Sequence, residues 1–282
     1  MTERYAEITA RIGAVEQLHT VVTAMRGIAA ARAAQARADL AAVDAYAALV
    51  ADGIRRLLAL GRPAAPCISA TPRAALVVFG AEQGFAGAFT ERILDSLAAA
   101  PPPAEIFLVG TRAGAIAAER GFAAAWSAPM PLHPAGIPRL ADRVTEALFE
   151  RVGSGAVAAL DMIWCDGGPG QPVPAIERRR VFPLDLAPHA QSDDPVLTLD
   201  PETLLSGLAE DYVHAQLCAA ALNAFAAENE ARLAAMAAAR GQIERRLDGL
   251  TAEQRQVRQE EITSEIIELA GAAPASGRDP HP

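Results

Sequence analysis

Two stretches at opposite ends of the chain restrict its fold more than any other feature. Residues 3–60 contain no proline, and Gly13, Gly27 and Gly53 are their only glycines. Apolar residues fall there at Ile8, Ile12, Val15, Leu18, Val22, Met25 and Ala29, six steps over 21 positions, an average of 3.5. The second stretch opens at Asp200-Pro201-Glu202, an N-cap, a proline at the first helical position and an acid in the first turn. Its apolar set includes Leu222, Phe225, Leu233, Met236, Ile243, Leu247, Leu250 and Val257, again with a mean step of 3.5 between Leu222 and Val257. Polar Asn229, Arg240 and Gln254 occupy positions on that stripe. A spacing of 3.5 rather than 3.6 is the coiled-coil period, so each helix needs a partner. The second helix, at about 70 residues, would run for about 105 Å, far beyond a small domain.

If the two helices pair with each other, the chain leaves the intervening segment along one and returns along the other. The coiled coil is then antiparallel, with the longer second helix projecting alone at one end. Pairing in trans within a homodimer is the competing arrangement.

The intervening segment is of another kind. Three prolines in GRPAAPCISATPR (61–73) end the first helix. Ala75–Phe79, Glu105–Val109 and Val157–Trp164 read as buried strands. Ala86–Ala99, Arg112–Arg120 and Pro138–Val152 read as helices. CDGGPGQPVP leads into a further, antiparallel strand near Ala175–Leu184. Alternation of strand and helix predicts a small Rossmann-like α/β domain with a mainly parallel sheet. The expected organisation is a coiled-coil helix at 1–60, a linker at 61–73, the α/β domain at 74–199, a second coiled-coil helix at 200–273 and a disordered tail at 274–282.

The stretch ALVVFGAEQGFAGAF raises the question of nucleotide binding, because it reads strand, glycine turn, helix. Gly80, Gly84 and Gly87 are spaced G-x₃-G-x₂-G, whereas the dinucleotide fingerprint is G-x-G-x-x-G. Glu82 also places a carboxylate where a pyrophosphate would have to sit. Tight turning and close strand–helix packing account for the glycines, which predicts a structural loop and no cofactor.

Composition removes further classes. All 25 basic residues are arginine, which excludes the lysine of a P-loop and any Schiff base. A net charge of −9 argues against nucleic acid, and Arg178, Arg179 and Arg180 read as a solvated hairpin edge. The histidines lack metal-ligand spacing, and no G-x-S-x-G elbow is present. No catalytic or metal site is expected. Cys67, Cys165 and Cys218 form no CxxC pair and fit a reducing compartment. The N-terminus, MTERYAEITARIG, has no apolar signal-peptide core, and no stretch reaches the length of a membrane span. A soluble intracellular protein is expected.

The C-terminal stretch carries a specific resemblance. Ala226-Ala227-Glu228, Ala231-Arg232-Leu233 and Ala235-Met236, followed by Arg258-Gln259, Ile262-Thr263, Glu265-Ile266 and Glu268-Leu269, resemble the two closing motifs of the γ subunit of F-type ATP synthases. ITARIGAVEQLHTVVTAMRGIAAA is similar to that family's opening. The glycine loop keeps Gly84 and Gly87, and Asp200-Pro201 sits where the family has an acid and a proline. Departures at Glu82-Gln83, Ala86 and Glu260-Glu261 suggest a divergent branch, such as the alternate F-type ATPases of some bacteria.

The resemblance covers the chain and implies a non-catalytic central-stalk rotor. It implies as partners a hexamer of alternating α and β subunits, an ε subunit and a membrane c-ring. It also implies a peripheral location on the cytoplasmic side of the bacterial inner membrane, without insertion. Arg258 and Gln259 would touch a catalytic subunit, Met25 and Arg26 would face the same region of the shaft from the other helix, and Asp200 would lie in the foot. A nucleotide enzyme and a generic coiled-coil adaptor are the other readings.

Overall fold

A computed structural model of the chain describes residues 3–60, 74–99, 103–167, 175–187 and 197–272. The expected linker at 61–73 and tail at 274–282 lie outside these, as does most of the glycine- and proline-rich loop before Ala175. Two helices dominate, α1 (Glu3–Ala59) and α5 (Pro201–Ala272). Between them come β1 (Ala74–Phe79), α2 (Phe89–Ala98), β2 (Glu105–Val109), α3 (Thr111–Glu119), β3 (Trp126–Ala128), α4 (Ile137–Gly153), β4 (Ala159–Asp166) and β5 (Ala175–Phe182). Contacts divide the chain into two units, Met1–Arg26 with Met236–Pro282, and Gly27–Ala235.

In the first unit the ends of α1 and α5 pair antiparallel. Val22, Met236 and Ile243 are buried there, with Val15, Met25, Ala239 and Leu247 packed around them. Polar contacts fix the register. Gln254 Nε2 donates to Thr9 Oγ1 at 2.8 Å, His19 Nε2 lies 3.6 Å from Glu244, and Arg4 reaches Glu253 and Glu260. Past Glu260, α5 continues beyond the start of α1 and exposes Ile262, Ile266, Ile267 and Leu269. One stripe position needs correction: Leu18 is 51% exposed, and His19 takes the inward place. Apolarity favours Leu18, but Ile8, Ile12, Val15 and Val22 are better continued through position 19.

The second unit is built on a five-stranded sheet of order β3-β2-β1-β4-β5, parallel except for β5. Strand β3 is a correction to the expected set. Three residues are too few for period-2 alternation to be visible. The central strands are buried on both faces, as parallel strands must be. Leu76 and Val78 of β1, with Ile163 and Cys165 of β4, pack under Phe89, Ile93 and Leu94 of α2 and Ala113 and Ala117 of α3. Ala75, Val77, Phe79, Met162 and Trp164 point the other way, to Leu140 and Val144 of α4, Leu217, Ala221 and Phe225 of α5 and Ala36 of α1. The long helices therefore share one core with the sheet. Asp200 caps α5, its Oδ2 accepting from the backbone N–H groups of Glu202 and Thr203 at 3.1 and 3.3 Å.

The arginine run on β5 departs from a purely solvated edge. Arg178 and Arg180 fold inward to Asp161 of β4 at 2.9 and 2.7 Å, and the aspartate is only 5% exposed. Arg179 donates to Gln216 of α5 and lies over the Trp164 ring. Burial opposes ionisation of Asp161, but the bonds from Arg180 and Arg178 outweigh it and hold the carboxyl below its usual value. A depressed carboxylate pKa gives stability that is present above the unfolded value of about 3.9 and lost as pH falls through the folded value. Wild-type melting temperature is therefore expected to fall on acidification below about pH 4 more steeply than that of Asp161→Asn, which starts lower at pH 7. Parallel melting curves across the acid range would contradict this.

Candidate functional site

The carboxyl ends of β1, β2 and β4 form the edge at which doubly wound sheets bind ligands. Here the loop after β1 is held by the chain's own carboxylates. Glu82 turns towards the start of α3, where Oε2 accepts from the backbone N–H of Thr111 and of Met130, both at 2.8 Å, and Oε1 accepts from Thr111 Oγ1 at 2.8 Å. A helix N-terminus attracts anions, and Glu82 occupies this one. The backbone N–H groups of Glu82 and Gln83 are taken in turn by Glu228 of α5, at 3.1 Å each. These are donors that a phosphate loop would offer its ligand.

Glu228 is itself buried and ion-paired with Arg232 one turn on. Arg232 Nη1 donates to Asn229 Oδ1 at 3.0 Å, and its Nε donates to the carbonyl of Gly84 at 3.2 Å. Asn229 Nδ2 closes the network on the Phe225 carbonyl at 2.8 Å. Buried charges need such partners, and each member here has them. The acid and arginine of the first C-terminal motif thus bind the glycine loop to α5.

The three glycines differ. At Gly80 an added Cβ would overlap Cβ of Ala113, so the strand end and α3 approach too closely for a side chain. Gly87 has φ +59, a left-handed conformation that favours glycine. Gly84 has neither constraint: its φ is not left-handed, and nothing lies within 4 Å of an added Cβ. In this turn Phe85 takes the left-handed conformation instead, at φ 62. Gly80→Ala is expected to destabilise the domain by about 1–3 kcal/mol through overpacking, and Gly84→Ala to stay within about 0.5 kcal/mol of wild type. Urea denaturation of the two variants checks both, and equal losses would contradict the assignment.

A second charged cluster ties α1 to the same edge. Arg37 donates to Asn223 Oδ1 at 2.9 Å and to Glu230 at 3.2 Å, and reaches Asp166 at the end of β4 at 3.4 Å. Burial raises the Glu230 pKa above its ordinary value, an effect Arg37 offsets only in part. Sequence reading missed Arg37, Asp161, Asp166 and Glu230. Their only signal is a charge set among alanines or inside an apolar stripe.

The residues expected to meet a partner are dispersed. Arg26, Arg258 and Gln259 are exposed, whereas Met25 is half-buried against the Val22–Met236 cluster. Antiparallel register, with Thr9 opposite Gln254, sets Arg258 beside the start of α1, about 20 helical residues or roughly 30 Å from Met25. Placing Met25 and Arg26 at the same level as Arg258 is therefore corrected. Burial pushes the thiols of Cys165 and Cys218 up to about 12, which makes them unreactive. Among the described residues no group of three His, Cys, Asp or Glu could hold a metal, and no helix is long and apolar enough to cross a membrane.

These features define a class: an antiparallel two-helix coiled coil with an α/β domain inserted between its helices, the domain's ligand edge filled by one of them. The chain belongs to the ATP synthase family, whose model matches residues 4–275. It is similar to the ATP synthase gamma chain of Parafrankia sp., 28% identical with 98% of each chain covered. It is also similar to that of Bifidobacterium longum subsp. infantis, 25% identical with 95% of this chain and 96% of the relative covered. In fold it is similar to a chain of the Euglena gracilis mitochondrial ATP synthase OSCP/F1/c-ring structure, with TM-score 0.65, 14% identity and coverage of 99% and 98%. A chain of the Tetrahymena thermophila mitochondrial ATP synthase central stalk and c-ring gives TM-score 0.55 at 16% identity, covering 78% of this chain and 99% of that one.

Proposed function

We propose that this chain is the central-stalk rotor subunit of an F-type ATP synthase, a non-catalytic part that carries rotation between a membrane ion-driven ring and a catalytic hexamer. The observation that carries the reading is the antiparallel pairing of the chain's two ends, Thr9 on Gln254 and Arg4 on Glu260, with α5 continuing beyond. Such a pair is stiff and asymmetric, as a shaft must be if each orientation is to act differently on its surroundings. The catalytic partners in this reading are alternating α and β subunits. An ε subunit and the c-ring would meet the foot, near the α5 cap at Asp200. The chain would sit peripherally on the cytoplasmic side of a bacterial inner membrane.

Co-expression with the α and β subunits of the same bacterium tests the proposal. The chain is expected to co-purify with the hexamer, and ATP turnover is expected to depend on it. An adaptor would co-purify without changing turnover, and a nucleotide enzyme would bind ATP or NAD as an isolated chain at micromolar concentration. Either result would overturn the rotor reading.

A further inference from the structure

The ligand edge of the sheet is fastened to one short stretch of α5, residues 223–232, by charges as well as by the apolar contacts of Ala224–Ala227. Glu228 and Arg232 hold the loop after β1, and Asn223 and Glu230 hold Arg37 of α1, which reaches Asp166 at the end of β4. Gly167 follows β4 so closely against α5 that an added Cβ would overlap the Glu230 carboxylate. Glu228, Asn229 and Arg232 are each 5% exposed or less.

The apolar side chains of α5 already hold the domain on the helix, and buried ion pairs rarely add net stability to such a joint. Directional bonds supply something else. Apolar surfaces can slip by a ridge, whereas an arginine fork bonded to a carbonyl and a carboxylate fits one rotational setting. We propose that this joint is the torque coupling of the chain, in which Glu228 and Arg232 are positioning residues that lock rotation of the α/β domain to rotation of α5. The proposal rests on the rotor reading given above.

The test uses the assembled, membrane-bound complex in sealed vesicles and reads ATP hydrolysis and ATP-driven ion uptake separately. Arg232→Met leaves Glu228 buried without its charge partner and is expected to lower melting temperature, while hydrolysis by the complexes that assemble stays close to wild type. Ion uptake per ATP is expected to fall severalfold, because a domain that slips on α5 passes on only part of each turn. The double variant Glu228→Gln with Arg232→Gln has no unpaired buried charge, and its single amide oxygen at position 228 keeps an acceptor for one of the two loop N–H groups. It should recover assembly and part of the melting temperature lost in Arg232→Met but not the uptake ratio, a split that a merely structural role would not produce. An unchanged ratio in Arg232→Met, or recovery of the ratio together with stability in the double variant, overturns the proposal. Failure of both variants to assemble assigns the pair to folding and overturns it as well. If the wild-type chain itself supports no hexamer turnover, the rotor reading fails instead, so the two failures are distinguishable.

Discussion

Gly110→Ala is expected to destabilise the α/β domain by about 2–6 kcal/mol, the combined effect of backbone strain and overpacking. Gly110 follows β2 with φ +114, a conformation closed to side chains. An added Cβ would stand 2.6 Å from the Gly80 carbonyl oxygen and 2.8 Å from that of Ala81. Both obstacles are backbone, and the Gly80 N–H is already bonded to the Val109 carbonyl at 2.9 Å. Neither strand end can retreat without breaking the sheet. The two tryptophans, Trp126 and Trp164, lie on β3 and β4, so fluorescence during urea denaturation reports this domain. A midpoint unchanged from wild type would show that the loop adapts, which would contradict the close approach.

Arg258→Ala is expected to lower ATP turnover or yield of the assembled complex severalfold while leaving the isolated chain folded. A desolvated charge contact at an interface is worth about 2–5 kcal/mol on truncation, whereas an exposed helical Arg→Ala change is nearly neutral for stability. The motif Arg258-Gln259 motivates the assignment, and both residues are exposed on α5 beyond the Thr9–Gln254 contact. Glu260 bonds with Gln256 and lies 3.8 Å from Arg4, so this helix end is held by its own charges. The glutamates after Gln259 bring negative charge close to the contact, and a partner adapted to them would depend less on Arg258. Wild-type turnover and yield in the variant would remove Arg258 from the contact set without touching the rotor reading. Met25 and Arg26 need a separate test, because the antiparallel register separates them from Arg258.

The helices and central strands were legible because local rules decide them. A 3.5-residue period, an Asp-Pro start and a lack of internal proline specify α1 and α5 whatever they touch. Apolar runs such as Ala74–Phe79 declare strands buried on both faces. The strand–turn–helix at Gly80 was equally visible, and Glu82 already argued against a pyrophosphate. Spacing also showed that Asn229 interrupts an apolar stripe.

What filled the nucleotide edge was not legible. Glu228 and Arg232 meet Glu82, Gln83 and Gly84 across about 145 residues of chain, and Arg37 meets Glu230 across 193. No periodicity encodes such pairings, because they arise only when the returning helix crosses the ends of β1 and β4. Leu18 is a different case: the stripe Ile8, Ile12, Val15 and Val22 runs through position 19, and the apolar side chain next to it masked the spacing. Gly84 and Gly110 look alike in sequence, yet only Gly110 stands against another backbone. Local periodicity and turn chemistry thus determined the elements and their order, since each acts within a few residues along the chain. The tertiary structure alone decided which charges became internal, because desolvation and ion pairing depend on neighbours brought together by folding.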